Sequence, residues 1–142
     1  ILSDKEILSL FQQAAKVVTS GLSVKTALYT YFGDITGLYP ELFHLPFQVF
    51  GLDFVIGEAN YGLLKSFPSE KEMGYGVVDA RNTKLETIEE LVGRLNQIYS
   101  VVPLERVYLN PNCGLEYLPR KNAYDKLARM VAAAERAKEV LR

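Results

Sequence analysis

The chain has few of the residues that build metal centres and disulfides. Its 142 residues include one cysteine, Cys113, and one histidine, His44. A single cysteine cannot form an internal disulfide, which suits a reducing compartment, so we expect a cytoplasmic location. The chain also lacks an excess of basic residues, with 16 Lys and Arg against 17 Asp and Glu and a net charge of -1. Nucleic acid is therefore not an expected partner, because binding to phosphates needs clustered positive charge.

Long apolar runs are absent as well. No run approaches the roughly 18 to 20 residues that a membrane-spanning helix needs, and residues 1–6 lack the basic start and apolar stretch of a signal peptide. We therefore expect no membrane partner. Hydrophobic residues make up 49% of the chain, which is enough for a substantial core. The length is typical of one domain, and we treat residues 1–142 as a single domain.

Four short apolar runs predict β-strands at residues 24–31, 49–56, 74–79 and 106–109. They are rich in β-branched and aromatic residues without strict alternation, which is typical of strands buried on both faces of a parallel sheet. Helical signals follow each run. Two pairs have the spacing of a capping box at a helix start, Ser3 with Glu6 and Thr83 with Glu86.

Two longer segments predict amphipathic helices. The helix after Thr83 should bury one apolar face, formed by Ile88, Leu91, Val92, Leu95 and Ile98. The last helix should bury Ala123, Leu127, Met130, Val131, Ala134 and Ala137, and should expose Lys126, Arg129, Glu135 and Lys138. Around residues 39–44 and 60–66 we expect shorter helices, because Pro40, Pro46 and Pro68 interrupt or end them.

The alternation of strands and helices repeats at about 25 to 30 residues, the length of one β/α unit. A complete eight-unit TIM barrel needs about 250 residues. The chain therefore predicts an α/β fold that is half of such a barrel, with four parallel strand-helix units preceded by a helix. An open flavodoxin-like sheet is the alternative, but no Gly-rich phosphate loop follows the first strand. A half-barrel has two open edges and an exposed inner face, so we expect the remaining half or a partner chain to cover them.

Polar residues follow the four strands, and the carboxyl ends of parallel strands face the same way. We therefore expect these side chains to converge at one rim: Asp34, Glu58, Asp79, Arg81, Asn112 and Cys113. Structural roles are open for several. Asp34 and Asn82 could cap the helices that follow them, and Asp79 could form an ion pair with Arg81.

Glu58 and Cys113 have the most distinctive surroundings of these residues. Glu58 follows the apolar residues 54–57, so its carboxylate needs a partner or water nearby. Cys113 lies in a Pro/Gly turn after the last strand. A cysteine there could be a metal ligand, a nucleophile, or simply a small buried hydrophobic residue.

Four segments at the strand ends resemble consecutive motifs of the cobalamin-independent methionine synthase family. They are Thr-Tyr-Phe-Gly-Asp at 30–34, Gly-Leu-Asp-Phe-Val at 51–55, Gly-Val-Val-Asp-Ala-Arg-Asn at 76–82 and Asn-Pro-Asn-Cys-Gly-Leu at 110–115. The resemblance runs in order from about Leu28 to the last helix. It implies the C-terminal half of a β/α barrel in a protein of methionine biosynthesis. The family's catalytic barrel binds zinc, which activates homocysteine as a thiolate to accept a methyl group from a methyltetrahydropteroyl polyglutamate.

The motifs resemble both barrels of that family. The first and third are similar to the zinc-free N-terminal barrel, whereas the motif around Cys113 is similar to a zinc-ligand motif of the catalytic barrel. The resemblance places Glu58 and Cys113 at two zinc-ligand positions and Tyr29 and Tyr31 at the positions of a His-x-Cys pair. The implied zinc site is thus incomplete. Arg81 stands where the family has a proton-donating histidine.

The isolated His44 does not replace these ligands, because it lies on a predicted helix and not at a strand end. We expect it to be a surface or helix-packing residue. For the substrates, the resemblance implies a small-molecule thiol and a folate-type methyl donor. Among the polar residues expected at the rim, four are substrate-binding candidates: Asp34, Asp79, Arg81 and Asn112.

Three functional hypotheses follow. In the first, the chain takes part in methyl transfer to homocysteine or a related thiol. In the second, it is a non-catalytic partner barrel that binds the folate-type donor or scaffolds a zinc-bearing subunit. In the third, it is another enzyme on the same barrel, in which Cys113 and Glu58 serve a different chemistry and Arg81 holds a carboxylate or phosphate.

Overall fold

The computed structural model describes residues 4–141 and contains one sheet of four parallel strands in the order β1-β2-β3-β4. The strands are β1 (Ala27–Tyr29), β2 (Val49–Asp53), β3 (Glu72–Val78) and β4 (Val107–Pro111). The α-helices are α1 (Asp4–Thr19), α2 (Ile88–Tyr99) and α3 (Arg120–Val140). Short 3-10 helices occupy Thr36–Leu38, Glu41–His44, Glu58–Ser66 and Leu104–Arg106. The predicted α/β half-barrel is confirmed.

The two faces of the sheet differ in composition. One face places Phe50, Leu52, Met73 and Tyr75 in the hydrophobic core beneath the helical layer. On the other face, which we call the inner face, strand pairing aligns Tyr29, Gly51, Gly74 and Tyr108 in one row. Tyr29 and Tyr108 are 41% and 43% exposed. The outer core is therefore closed, while the face that a full barrel would enclose is open.

All four predicted strands exist, but their limits differ from the sequence prediction. β1 covers only three of the residues predicted at 24–31, and it lies at an edge of the sheet, where it pairs with β2 alone. β2 ends at Asp53, before the predicted end at Ile56. The Asp53 carboxylate accepts hydrogen bonds from the N–H groups of Val55 and Ile56, which turns the chain away from the sheet.

The start of α2 was predicted at the wrong capping box. Thr87 caps the helix, because its hydroxyl accepts the N–H of Glu90 and the Glu90 carboxylate accepts the N–H of Thr87. Glu86, predicted to cap with Thr83, is buried instead. The apolar face of α2 packs inward as predicted. The other predicted box, Ser3 with Glu6, includes a residue outside the described part of the chain.

The buried face of α3 differs from the prediction. Lys126 is 1% exposed, and its ammonium lies 2.9 Å from the Glu86 carboxylate. Leu127 and Val131, predicted to be buried, are 46% and 65% exposed. The buried residues of α3 are Lys126, Met130, Ala133 and Ala137, so the predicted burial of Met130 and Ala137 is confirmed. Lys126 is buried because the Glu86 carboxylate gives its ammonium a charged partner inside the protein.

The short helices predicted around 39–44 and 60–66 are 3-10 helices, and the second ends directly before Phe67-Pro68 as expected. His44 is exposed on the first of them, which confirms it as a surface residue. No α-helix of residues 4–141 is both long and apolar enough to cross a membrane.

An apolar stripe on α1 is open to solvent. Ile7, Leu10 and Phe11 are exposed near its start, and Val17 and Val18 near its end. In a complete barrel the helices form an outer ring around the strands and pack beside neighbouring helices. Like the open inner face, this apolar stripe is therefore a surface that the rest of a barrel would cover.

The Glu86→Gln substitution tests the buried ion pair. It leaves the Lys126 ammonium buried without a counter-charge, so we expect the free energy of unfolding to fall by about 3 kcal/mol. As a control, Asp125→Asn breaks the exposed pair with Lys121 and should change it by less than about 1 kcal/mol. Urea denaturation of the three proteins measures both values.

The pH dependence gives a second readout of the same pair. Burial raises the pKa of Glu86, but hydrogen bonds from Lys126 and from the Asp79 N–H outweigh it, so the folded pKa lies below the ordinary 4.5. The pair's stabilisation is therefore present above pH 4.5 and is lost as the pH falls through the folded pKa. The wild-type and Glu86→Gln stabilities should converge on acidification, and a constant difference between them would contradict this prediction.

Candidate functional site

The rim of the sheet is organised by Asp53, the last residue of β2, whose side chain is fully buried. One carboxylate oxygen accepts the N–H groups of Val55 and Ile56 at 2.8 and 3.0 Å. The other accepts the N–H of Phe32 at 3.1 Å. The side-chain amide of Asn112 donates from 3.3–3.4 Å. This carboxylate therefore joins the ends of β1, β2 and β4.

Asn112 extends the connection to β3. Its side-chain oxygen accepts the N–H of Ala80 at 2.9 Å, and its own N–H donates to the Val78 carbonyl at 2.9 Å. It is 3% exposed, so its polar groups are used within the protein. A register shift in β3 between Gly76 and Val78 accompanies this contact. Asp53 and Asn112 together hold the loops of all four strand ends.

Phe32 adopts a strained backbone conformation in the loop after β1. Its φ of 69° lies in the left-handed region, which side-chain-bearing residues rarely occupy. Two buried groups hold this loop: Asp53 binds the Phe32 N–H, and Asn60 accepts the N–H of Ile35 while donating to the Asp53 carbonyl. These hydrogen bonds stabilise the strained conformation, and the Phe32 ring, 55% exposed, lies at the rim.

Arg81 lies where these loops meet. Its guanidinium carbon is 5.0 Å from the ring centroid of Phe32 and 5.0 Å from that of Tyr117. Such distances are within the range of cation–π attraction. The Arg81 backbone N–H donates to the Asp79 carboxylate at 2.8 Å. The loops after β1, β3 and β4 therefore each contribute a side chain to one exposed cluster.

Cys113 lies beside this cluster and is half-buried. Burial raises the pKa of its thiol, and the Arg81 guanidinium opposes part of that rise. The negative charges of the Asp53 and Glu116 carboxylates also raise the pKa of the thiol. At neutral pH the side chain is accordingly a thiol. The prediction that Arg81, Asn112 and Cys113 converge at the rim agrees with this arrangement.

The two rim aspartates bind nearby backbone groups. Asp79 was considered as an ion-pair partner of Arg81, but no salt bridge among residues 4–141 involves Arg81, and Asp79 binds the Arg81 N–H instead. Asp34 accepts the N–H of Thr36 at 3.0 Å, and hydrogen bonds from Thr36 lower its pKa. Asn82 accepts the N–H of Lys84 and does not cap α2.

Glu58 lies apart from this cluster. It is exposed at the start of its 3-10 helix and lines a surface groove with Tyr61, Arg94 and Gln97, the last two on α2. The charged groups that act on Cys113 are Arg81, Asp53 and Glu116. The contacts of the described residues do not bring Glu58 to Cys113.

The two tyrosines at the implied His-x-Cys positions have different surroundings. The Tyr29 ring covers glycines on the inner face, since a Cβ on Gly51 would lie 2.0 Å from its Cδ1. Its hydroxyl donates to Asn110 at 3.2 Å, and burial raises its pKa. Tyr31 is exposed and makes an edge contact with Phe32.

The side chains at the four implied ligand positions, Tyr29, Tyr31, Glu58 and Cys113, do not fit a zinc ion. A zinc site needs three or four protein ligands, of which thiolates, imidazoles and carboxylates are the usual types. Within residues 4–141, no group of three or more His, Cys, Asp or Glu side chains is placed to hold a metal. Tyr29 is a neutral, hydrogen-bonded phenol that packs on glycine.

Sequence reasoning missed Asp53, Asn60, Phe32 and Tyr117 as contributors to the rim. A signal for Asp53 was present, because it is the one charged residue within the apolar run at 49–56. A carboxylate inside a buried strand must be hydrogen-bonded, so its position predicts a network. The two aromatic rings had no comparable signal.

The substitution Gly57→Ala tests whether the rim loops are held closely together. A Cβ on Gly57 would lie 2.3 Å from the Gly33 carbonyl oxygen and 2.6 Å from that of Asp53. Backbone atoms cannot move aside cheaply, so we expect a loss of about 1–3 kcal/mol in the free energy of unfolding. The control Gly62→Ala has nothing within 4 Å and should be neutral or slightly stabilising. Equal effects in thermal denaturation would contradict the prediction.

Comparison with known proteins gives consistent matches. Residues 5–136 match the protein family described as cobalamin-independent synthase, catalytic domain. A methionine synthase of Saccharolobus solfataricus is 35% identical over 141 residues, covering 97% of this chain and 42% of that protein. A methionine synthase of Pyrococcus horikoshii is 30% identical over 142 residues, covering 99% and 42%. The chain thus spans about two-fifths of the length of these curated relatives.

A solved structure shares the fold. It is a B12-independent methionine synthase from Shewanella sp. W3-18-1 in complex with selenomethionine. The TM-score is 0.79 at 20% identity, over 94% of this chain and 43% of that one. At this identity the likeness shows the fold alone, and it agrees with half of a barrel.

Proposed function

Because the chain belongs to the cobalamin-independent synthase catalytic-domain family, we propose that it takes part in methyl transfer from a methyltetrahydropteroyl-type donor to homocysteine or a related thiol. The family match over residues 5–136 carries this proposal. The names of the curated relatives, methionine synthases, support the same reaction class and a place in methionine biosynthesis.

We place substrate binding at the rim, where the loops after β1, β3 and β4 meet. Among the four candidates, Arg81 is the one we expect to contact a substrate directly, because its side chain is exposed and forms no ion pair among the described residues. Asn112 and Asp79 act indirectly by holding the Arg81 loop. Asp34 is exposed in the loop after β1, where its carboxylate could also face a substrate.

The remaining half of a barrel is the partner that we propose for this unit. The open inner face and the exposed apolar stripe of α1 are the surfaces that it would cover. Contact with water at these surfaces is unfavourable in proportion to their apolar area. The other half would also supply any substrate contacts that these four strands lack.

A second candidate function is a non-catalytic partner or donor-binding barrel. It is favoured by Tyr29 and Tyr31 at the positions where the family resemblance places two zinc ligands. Glu58 and Cys113, the other two positions, do not complete a site, so we assign thiol activation to no residue of this half. Its contribution in either function is substrate binding.

Methionine formation separates the two functions. The purified chain, combined with the remaining half of the barrel, is incubated with methyltetrahydropteroyl triglutamate and homocysteine, with bound zinc measured per chain and donor binding measured separately in zinc-free buffer. The first function predicts methionine, which Arg81→Gln reduces at least about tenfold. The second predicts donor binding without methionine, unaffected by Cys113→Ser. A protein that neither forms methionine nor binds the donor contradicts both.

A further inference from the structure

Arg81 is a positioned cation without an anionic partner. A guanidinium has five N–H donors in one plane. The hydrogen bonds and salt bridges among residues 4–141 give the Arg81 side chain no oxygen acceptor, and its polar neighbour is the Cys113 thiol. Donors that remain exposed at a rim are available to a ligand.

The cluster around Arg81 is held in place before any ligand binds. The rings of Phe32 and Tyr117 flank the guanidinium. Asp53 and Asn112 fix the backbones of two of the loops, because they accept the N–H groups of Phe32 and Ala80 respectively. Exposed arginines usually lose side-chain entropy when they bind an anion. Here part of that cost is already met by the fold, which favours binding.

We propose that Arg81, Phe32 and Tyr117 form a binding site for the carboxylate group of a small organic acid. The planar guanidinium matches a carboxylate through two parallel hydrogen bonds. The exposed rings, Phe32 at 55% and Tyr117 at 75%, offer apolar area to the body of the acid.

The surrounding charge favours a monoanion over phosphate. The Asp53 and Glu116 carboxylates act on Cys113, the immediate neighbour of Arg81, and the Asp79 carboxylate binds the Arg81 backbone. Attraction by Arg81 and repulsion by these carboxylates both double for a dianion, and because three carboxylates surround one guanidinium, the added charge is unfavourable. The site thus selects for one negative charge attached to an apolar or planar group.

The inference rests on the proposed function only for the identity of the natural acid, since both the donor and an amino-acid thiol acceptor contain carboxylates. Carboxylate binding itself is measured without turnover. Competition by each of the two substrates then distinguishes these sources.

Titrations with benzoate, acetate and phosphate test the site. Binding is monitored through the NMR resonances of the Arg81 side chain and of the Phe32 and Ala80 amides. We expect benzoate to bind more tightly than acetate, and phosphate to bind most weakly. Arg81→Gln should weaken benzoate binding about tenfold or more, and Arg81→Lys should fall between. The matched control Arg120→Gln removes an exposed arginine at the start of α3 and should change binding less than twofold.

A double variant, Phe32→Leu with Tyr117→Leu, separates ring contacts from a general loss of structure. It should abolish the preference for benzoate over acetate while retaining acetate binding.

Benzoate binding that is unchanged in Arg81→Gln, or equally weakened in Arg120→Gln, would overturn the site. Tighter binding of phosphate than of benzoate would overturn the ligand class. If Arg81-dependent benzoate binding holds but neither the pteroylglutamate donor nor homocysteine competes, the site stands and the proposed function fails at this rim.

Discussion

The buried carboxylate of Asp53 is the constraint on which the rim depends. A charge removed from water is costly unless hydrogen bonds replace the lost solvation. Here the N–H groups of Phe32, Val55 and Ile56 and the amide of Asn112 replace it. Because these donors come from the ends of three strands, satisfying one carboxylate also fixes the relative positions of three loops. The left-handed Phe32, the Arg81 loop and the cluster they form follow from that requirement.

The fold combines a complete outer core with an incomplete inner one. Aromatic and aliphatic side chains fill the space between the sheet and its helices, and a buried Lys126–Glu86 pair fastens α3 to the segment before α2. Glu86 also accepts the N–H of Asp79, so the same pair supports the loop that presents Arg81. By contrast, the inner face and the α1 stripe stay exposed. The described half-barrel thus combines an ordered rim with an inner face that is open to solvent.

Much of this architecture was predictable, because strand runs, repeat length and the polar residues after each strand are local patterns. The convergence of Arg81, Asn112 and Cys113 follows from parallel topology alone. Other features depend on contacts distant in sequence. Thr83–Glu86 and Thr87–Glu90 have the same capping spacing, but Glu86 pairs with Lys126, 40 positions away, and the Thr87–Glu90 box caps the helix. That pairing also reverses the expected exposure of Lys126. Likewise, Phe32 and Tyr117 are distant from Arg81 in sequence, and no local pattern predicts that their rings lie beside its guanidinium.

Amide hydrogen exchange in an Asp53→Asn variant most directly tests whether one buried carboxylate organises the rim. The substitution replaces an acceptor oxygen by a donor and weakens the bonds to the rim loops. We predict that the amides of Phe32, Ile56 and Ala80 lose protection while those of the central strand β3, such as Tyr75, keep theirs. Unchanged protection at Phe32 and Ala80 would show that the loops are held independently of Asp53, and would contradict its central role.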